Sequence, residues 1–204
     1  MTYVLLGLSY LLGATPTSYW VGRAFHGLDL REHGSGNLGA TNALRVLGWK
    51  SALPVMLVDI GKGFVPVFLF SGLAGGTFLW TLAYGTAAIF GHMFSLWVGF
   101  KGGKGMATSA GAFLAIAPWA VLGGFVVWLC LTVPTGYVSL GSVGAAFALP
   151  FLIALTPHDG GVVLVWFSTV LAAFVIWKHR DNIGRLRRGE ETSFRGRKSS
   201  EEET

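Results

Sequence analysis

Three short segments of this 204-residue chain hold most of the residues whose types and spacing could handle a charged substrate. The first is His33-Gly34-Ser35-Gly36-Asn37-Leu38-Gly39-Ala40-Thr41-Asn42, followed by Arg45. Glycines let consecutive backbone N–H groups converge on an anion, and Ser35, Asn37, Thr41 and Asn42 add neutral hydrogen-bonding groups. A helix starting near Leu38 would offer its N-terminus to the same anion. Gly34, Gly36 and Gly39 also spell GxGxxG, but a dinucleotide fold needs a strand before the glycines and a βαβ unit around them. The polar stretch Asp29-Leu30-Arg31-Glu32 stands there instead, so a Rossmann site is rejected.

The second segment is Gly99-Phe100-Lys101-Gly102-Gly103-Lys104-Gly105-Met106-Ala107-Thr108. It fails as a Walker A loop, which needs Gly where Val98 stands and Ser or Thr where Gly105 stands. Two lysines among glycines still suit phosphate, with Gly102, Gly103 and Lys104 as candidates, although plain topology determinants look similar. The third segment, Lys178-His179-Arg180-Asp181-Asn182-Ile183-Gly184-Arg185-Leu186, repeats at helical spacing, which puts His179, Asn182 and Arg185 on one side of a helix. A basic flank to a membrane span explains Lys178 and Arg180 but gives His179 and Asn182 no reason. Two further features sit in apolar surroundings. Asp59 and Lys62, three residues apart, are functional candidates or simply each other's partner. His92 is either a packing histidine or a site member.

Several reaction classes are excluded. His33 and Asn37 occupy the outer positions of any GxSxG around Ser35, and no His has an Asp five residues later. No His-Glu-x-x-His spacing offers a metal site, and the single Cys130, in an apolar run, is expected to pack rather than ligate. No cofactor is implied. A transfer reaction here must use an already activated donor.

The elements that must position these segments are membrane helices. Hydrophobic residues make up 52% of the chain, charged ones 12%, and mean hydropathy is +0.59, too little polar surface for a soluble domain of this length. Lys and Arg are missing from residues 2–22, 64–100 and 105–177. Apolar tracts at 3–20, 52–70 and 78–98 are each near the roughly 20 residues that span a bilayer as a helix, and 161–177 supplies another. Pro118 and Pro134 divide the stretch between into helices at about 106–117, 119–133 and 137–155. The expected fold is therefore an all-α, polytopic transmembrane bundle of seven helices, with five as the fallback. Eight of the fifteen Lys and Arg lie between Lys178 and Lys198. The positive-inside rule places this tail, Lys101, Lys104 and the Arg23–Lys50 connection in the cytoplasm and the N-terminus outside, a better account of the charge than nucleic-acid binding. Residues 1–190 form one membrane domain, and 191–204 read as a polar, disordered tail.

Taken in order, Gly34-Ser35-Gly36-Asn37-Leu38-Gly39-Ala40-Thr41-Asn42 with Arg45, Gly91-His92 leading to Gly102-Gly103-Lys104-Gly105, and His179-Arg180-Asp181-Asn182-Ile183 with Arg185 resemble the PlsY family, the bacterial acyl-phosphate-dependent glycerol-3-phosphate acyltransferases. The resemblance covers nearly the whole chain and shows no departure within the three motifs. It implies transfer of a fatty acyl group from acyl phosphate to the first hydroxyl of glycerol 3-phosphate, giving lysophosphatidate and inorganic phosphate. It also implies seven transmembrane helices in a bacterial inner membrane, an active site on the cytoplasmic side, and no metal or nucleotide. Lys104 and Arg45 are then the expected phosphate ligands. Ser35 and Asn37 would grip the acyl phosphate, His179 and Asn182 would orient glycerol 3-phosphate, and Gly34, Gly36, Gly39, Thr41, Asn42, His92, Gly102, Gly103 and Arg185 would complete the binding surface. Other enzymes of the same lipid pathway are expected partners at the tail. A transporter for a phosphorylated anion is the alternative, although the polar motifs on one face and the absence of a repeat argue against it.

Overall fold

A computed structural model describes residues 1–74 and 77–194, and every described element is helical. The expected tail therefore lies outside the described residues from 195 onward. The helices are α1 (Thr2–Ala14), α2 (Thr17–His26), α3 (Ala40–Leu47), α4 (Trp49–Val65), α5 (Ser71–Ala74), α6 (Phe78–Met93), α7 (Met106–Leu114), α8 (Pro118–Thr135), α9 (Val138–Leu155), α10 (Gly161–Lys178) and α11 (Arg180–Arg188). Among the described residues, four stretches are long and apolar enough to cross a membrane: Trp49–Leu73, Pro118–Thr135, Val138–Leu155 and Gly161–Lys178. Their outer faces carry exposed large apolar side chains, such as Phe68, Phe125 and Trp166, which water would penalise and lipid accepts.

Local sequence explains where the helices start, bend and stop. Pro118 takes the first position of α8, where its missing N–H costs nothing, and Gly136 closes that helix in the left-handed conformation. Pro66 cannot donate to the carbonyl of Lys62, and from there the chain passes through a π-helical turn, Pro66–Phe70, before α5. The first expected span, residues 3–20, is broken at Thr15-Pro16 into α1 and α2. The third ends at Met93 rather than near 98, where a short 3₁₀ turn, Leu96–Val98, follows.

Small residues set the tightest packing. Cβ atoms on Gly13 and Gly91 would overlap the backbone of the facing helix in the α1–α6 pair, as would those on Gly63 and Gly111 in the α4–α7 pair, so these helices touch at main-chain distance. α8 and α9 form an antiparallel hairpin, with α10 against α9. The main core gathers Ile89, Met93, Phe113, Ile153, Leu164 and Val175 from α6, α7, α9 and α10. Cys130 lies exposed on α8.

Candidate functional site

The first motif is a loop held from below and from both sides. Leu30 and Leu38, which flank the glycine turn, are buried in a small separate core with Ala43, Val55 and Val98. Just ahead of the turn, Asp29 accepts from the Arg31 guanidinium at 2.7 Å and from Arg23 at 3.1 Å. The Arg31 hydrogen bond outweighs burial and holds the Asp29 carboxyl well below the usual range. Gly34 and Gly36 both take left-handed φ values, 62° and 68°, which explains glycine at those two positions. Asn42 ties the loop together: its amide donates to the carbonyls of Leu30 and His33, and its Oδ1 accepts from the Ser35 N–H at 2.9 Å.

That arrangement corrects the expected anion nest. The N–H groups of Ser35, Gly36 and Gly39 donate to Asn42, His33 and Asn37 respectively, so they close the turn instead of facing a ligand. Ala40 and Thr41, in the first turn of α3, line the cavity with N–H groups that have no intrahelical partner. The helix begins two residues later than expected.

The second motif is pinned to the end of α6. Gly102 and Gly103 donate to the carbonyls of Met93 and His92. A Cβ on Gly103 would overlap the His92 ring and the Leu38 carbonyl. Neither glycine lines the cavity. Their close approach is what carries Lys104 into it. His92 in turn faces a buried pair, Asp59 and Lys62, which meet at 2.8 Å, with the His92 Nδ1 3.8 Å from the Asp59 carboxylate. Lys62 also donates to the Thr15 carbonyl, and Ser95 to that of Ala14, so both carbonyls beside the α1–α2 break find buried donors. The two readings open for Asp59 and Lys62 thus resolve towards mutual pairing, although Asp59 and His92 still border the cavity.

The third motif brings its residues in from the α10–α11 junction. His179 caps α10, and its Nδ1 lies 2.8 Å from the Val175 carbonyl. A carbonyl only accepts, so Nδ1 carries the proton and Nε2 is left as the acceptor of the neutral ring. Burial, reinforced by the Lys104 charge, pushes the His179 pKa down to about 4. The Lys104 ammonium contacts the Asn182 side-chain oxygen, and the Asn182 amide donates to Glu191 at 2.7 Å. Arg185 reaches the other oxygen of that carboxylate at 2.7 Å. Burial raises the Glu191 pKa, but hydrogen bonds from Asn182 and Arg185 outweigh it and leave the group below its ordinary value. Burial, with repulsion from Arg185, lowers Lys104 to about 8.

These parts enclose one cavity of about 420 Å³. Ser35, Asn37, Gly39, Thr41, Asn42, Arg45, His92, Lys104, His179 and Asn182 line its polar end. Gly34, Gly36, Gly102, Gly103 and Arg185 stand behind that surface. Glu191, assigned by sequence to the tail, lines the cavity as well; an acidic residue directly after the basic α11 was the available signal. Beyond the polar end the cavity becomes an apolar groove between α4, α7, α8, α9 and α10, bordered by Phe113, Val121, Leu149 and Leu171. Leu122 and Phe125, at 50% and 53% exposure, give it a flank open to the molecule's apolar exterior. Among the described residues no cluster of His, Cys, Asp or Glu could hold a metal ion.

Residues 3–189 match the family described as glycerol-3-phosphate acyltransferase. Curated relatives of that name include one from Geobacter sulfurreducens, 42% identical over 192 residues, covering 94% of this chain and 97% of the relative. Another, from Listeria monocytogenes, is 45% identical over 191 residues, with 92% and 94% covered. Among solved structures, PlsY, an integral membrane glycerol 3-phosphate acyltransferase, superposes in its glycerol 3-phosphate form with a TM-score of 0.86 at 36% identity, covering 94% of both chains. Its lysophosphatidic acid form gives 0.85 at 34%.

Proposed function

Because the chain belongs to the glycerol-3-phosphate acyltransferase family, and is an integral membrane enzyme with several membrane helices, we propose that it transfers a fatty acyl group from acyl phosphate to the sn-1 hydroxyl of glycerol 3-phosphate. The supporting observation is a single cavity that joins a cationic, amide-rich end to an apolar groove. Both substrates carry phosphate and one carries a hydrocarbon tail, so each end of the cavity has its ligand.

In this reading the mixed anhydride lies with its chain in the groove and its phosphate near Ser35, Asn37, Arg45 and the first turn of α3. Glycerol 3-phosphate is held by Lys104, Asn182 and His179, within the shell completed by Thr41, Asn42 and His92, with Gly34, Gly36, Gly39, Gly102, Gly103 and Arg185 supporting that shell. The hydroxyl oxygen attacks the acyl carbon, the carbon–oxygen bond to phosphate breaks, and phosphate departs with the electron pair. Positioning and charge stabilisation supply the catalysis, with no covalent enzyme intermediate. Phosphoryl groups titrate near about pH 6, whereas the His179 ring sits at about 4, so the departing phosphate is the better acceptor for the hydroxyl proton and His179 Nε2 orients the hydroxyl.

The decisive assay supplies purified protein in bilayers with synthetic acyl phosphate and glycerol 3-phosphate. Equimolar lysophosphatidate and inorganic phosphate are expected. No product from folded protein with any chain length rejects the reading.

We further propose seven crossings, made by α1, the α4–α5 segment, α6, α7, α8, α9 and α10, with the N-terminus outside a bacterial inner membrane and the site and the tail in the cytoplasm. Lys and Arg cluster at the ends of the helices that border the site, which supports this orientation. In a Cys130→Ala background, a cysteine at Ser71 or Thr156 should react with an impermeant thiol reagent from outside and one at Glu190 only from inside. The reverse pattern inverts the topology.

A further inference from the structure

One side chain borders both the apolar groove and the core behind it. Phe113, on α7, is 1% exposed and belongs to the main core. It lies seven residues past the start of α7, roughly 10 Å further along the helix axis from the Lys104 end of the cavity. Behind it is a second void of about 10 Å³, bordered by Leu82, Ile89, Ala112, Ile116 and Phe167, all apolar. Among the residues that line the two spaces, Phe113 alone belongs to both. Its ring is braced by Phe167, with centroids 6.0 Å apart, and its carbonyl accepts from the N–H groups of Ile116 and Ala117 at the end of α7. The ring is thus a fixed partition: core on one side, substrate groove on the other.

We propose that Phe113 is the stop against which the enzyme measures its acyl chain. The inference rests on the acyl-transfer reading above. A chain that extends down the groove from the phosphate end meets this ring, and longer chains must bend towards the lipid-facing flank at Leu122 and Phe125. Shortening residue 113 joins the groove to the void behind it and lengthens the straight path. Enlarging it shortens that path.

The test is a competition assay in bilayers with an equimolar mixture of lauroyl, myristoyl, palmitoyl and stearoyl phosphates, reading each lysophosphatidate by mass. Product ratios do not depend on how much of a variant has folded. Phe113→Ala should raise the stearoyl-to-myristoyl product ratio by about tenfold, the discrimination that one or two methylene groups carry in an apolar pocket. Phe113→Leu should shift it the same way by less, and Phe113→Trp should lower it. If the alanine and tryptophan variants yield no product, the leucine ratio decides. Ratios unchanged from wild type mean that chains leave sideways through the open flank, and overturn the proposal. Failure of the acyl-transfer reading is a different result, with no lysophosphatidate from the wild-type protein and any donor.

Discussion

Lys104 carries the clearest pH signature of the site. Burial and the neighbouring Arg185 bring it to about 8, so the ammonium proposed to hold a phosphate is lost within an accessible range. A bound phosphate stabilises the charged form, so binding takes up a proton above that pH. The expected result is a kcat/KM that is flat through neutrality and falls with unit slope above about pH 8. Lys104→Met should remove that limb together with about a hundredfold of kcat/KM, the scale of one lost charge-stabilising donor. A limb that survives in the variant assigns it to another group. His179 makes a complementary case. If its Nε2 only orients the hydroxyl, His179→Gln, which still presents an acceptor, should keep activity within about tenfold of wild type, and His179→Ala should lose far more. Equal losses would make His179 the base. His179 and Asn182 stand out in sequence because a plain membrane flank gives them no reason, whereas Lys104 is equally explicable as a topology determinant and only the fold brings it into contact with Asn182. The consumption of the Ser35, Gly36 and Gly39 amides by Asn42, His33 and Asn37 was not legible in sequence, since motif spacing lists donors without revealing which of them the fold has already used.

Among the elements, the α1–α2 break and α4 depend on each other. Pro16 frees the end of α1, and the Asp59–Lys62 pair sits where that end can be satisfied. Lys62→Met leaves Asp59 a buried, unpaired carboxylate, for which a loss of about 3–5 kcal/mol is expected. Thermal unfolding in bilayers should show most of that loss recovered when Asp59→Asn is added. Failure of the second change to rescue would mean that the Thr15 contact, not charge balance, is the important part. Helix spans and their order could be read from apolar run length and proline, as the close agreement at α8, α9 and α10 illustrates. The early stop of α6 could not, because the hydropathy of residues 94–98 is that of a helix; what turns the chain is Ser95 reaching across to the Ala14 carbonyl.

On the scale of the whole molecule, the chain returns to the cavity near its last described residues, where Glu191 and Thr192 line it. Glu191 is buried between Asn182 and Arg185, and the Phe194 N–H donates to the Gly136 carbonyl at the foot of α8. A chain ending after Phe194 should therefore retain full turnover, and one ending after Arg188 should lose it, measured per folded enzyme. Equal activity in the two truncations would remove Glu191 from the site. Composition suggested a tail from 191 because acidic, polar residues dominate there; a single carboxylate docking on a basic helix is invisible to an average.

The open flank at Leu122 and Phe125 gives the two substrates different dimensionalities. Glycerol 3-phosphate is counted per litre of water, but a donor that reaches the groove sideways is counted per lipid molecule in the leaflet. Dilution of the bilayer with inert phospholipid at constant total donor should then slow the enzyme as if donor had been withdrawn, with the glycerol 3-phosphate requirement unchanged. A cell that expands its membrane faster than it makes donor would slow its own phospholipid synthesis by mole fraction alone.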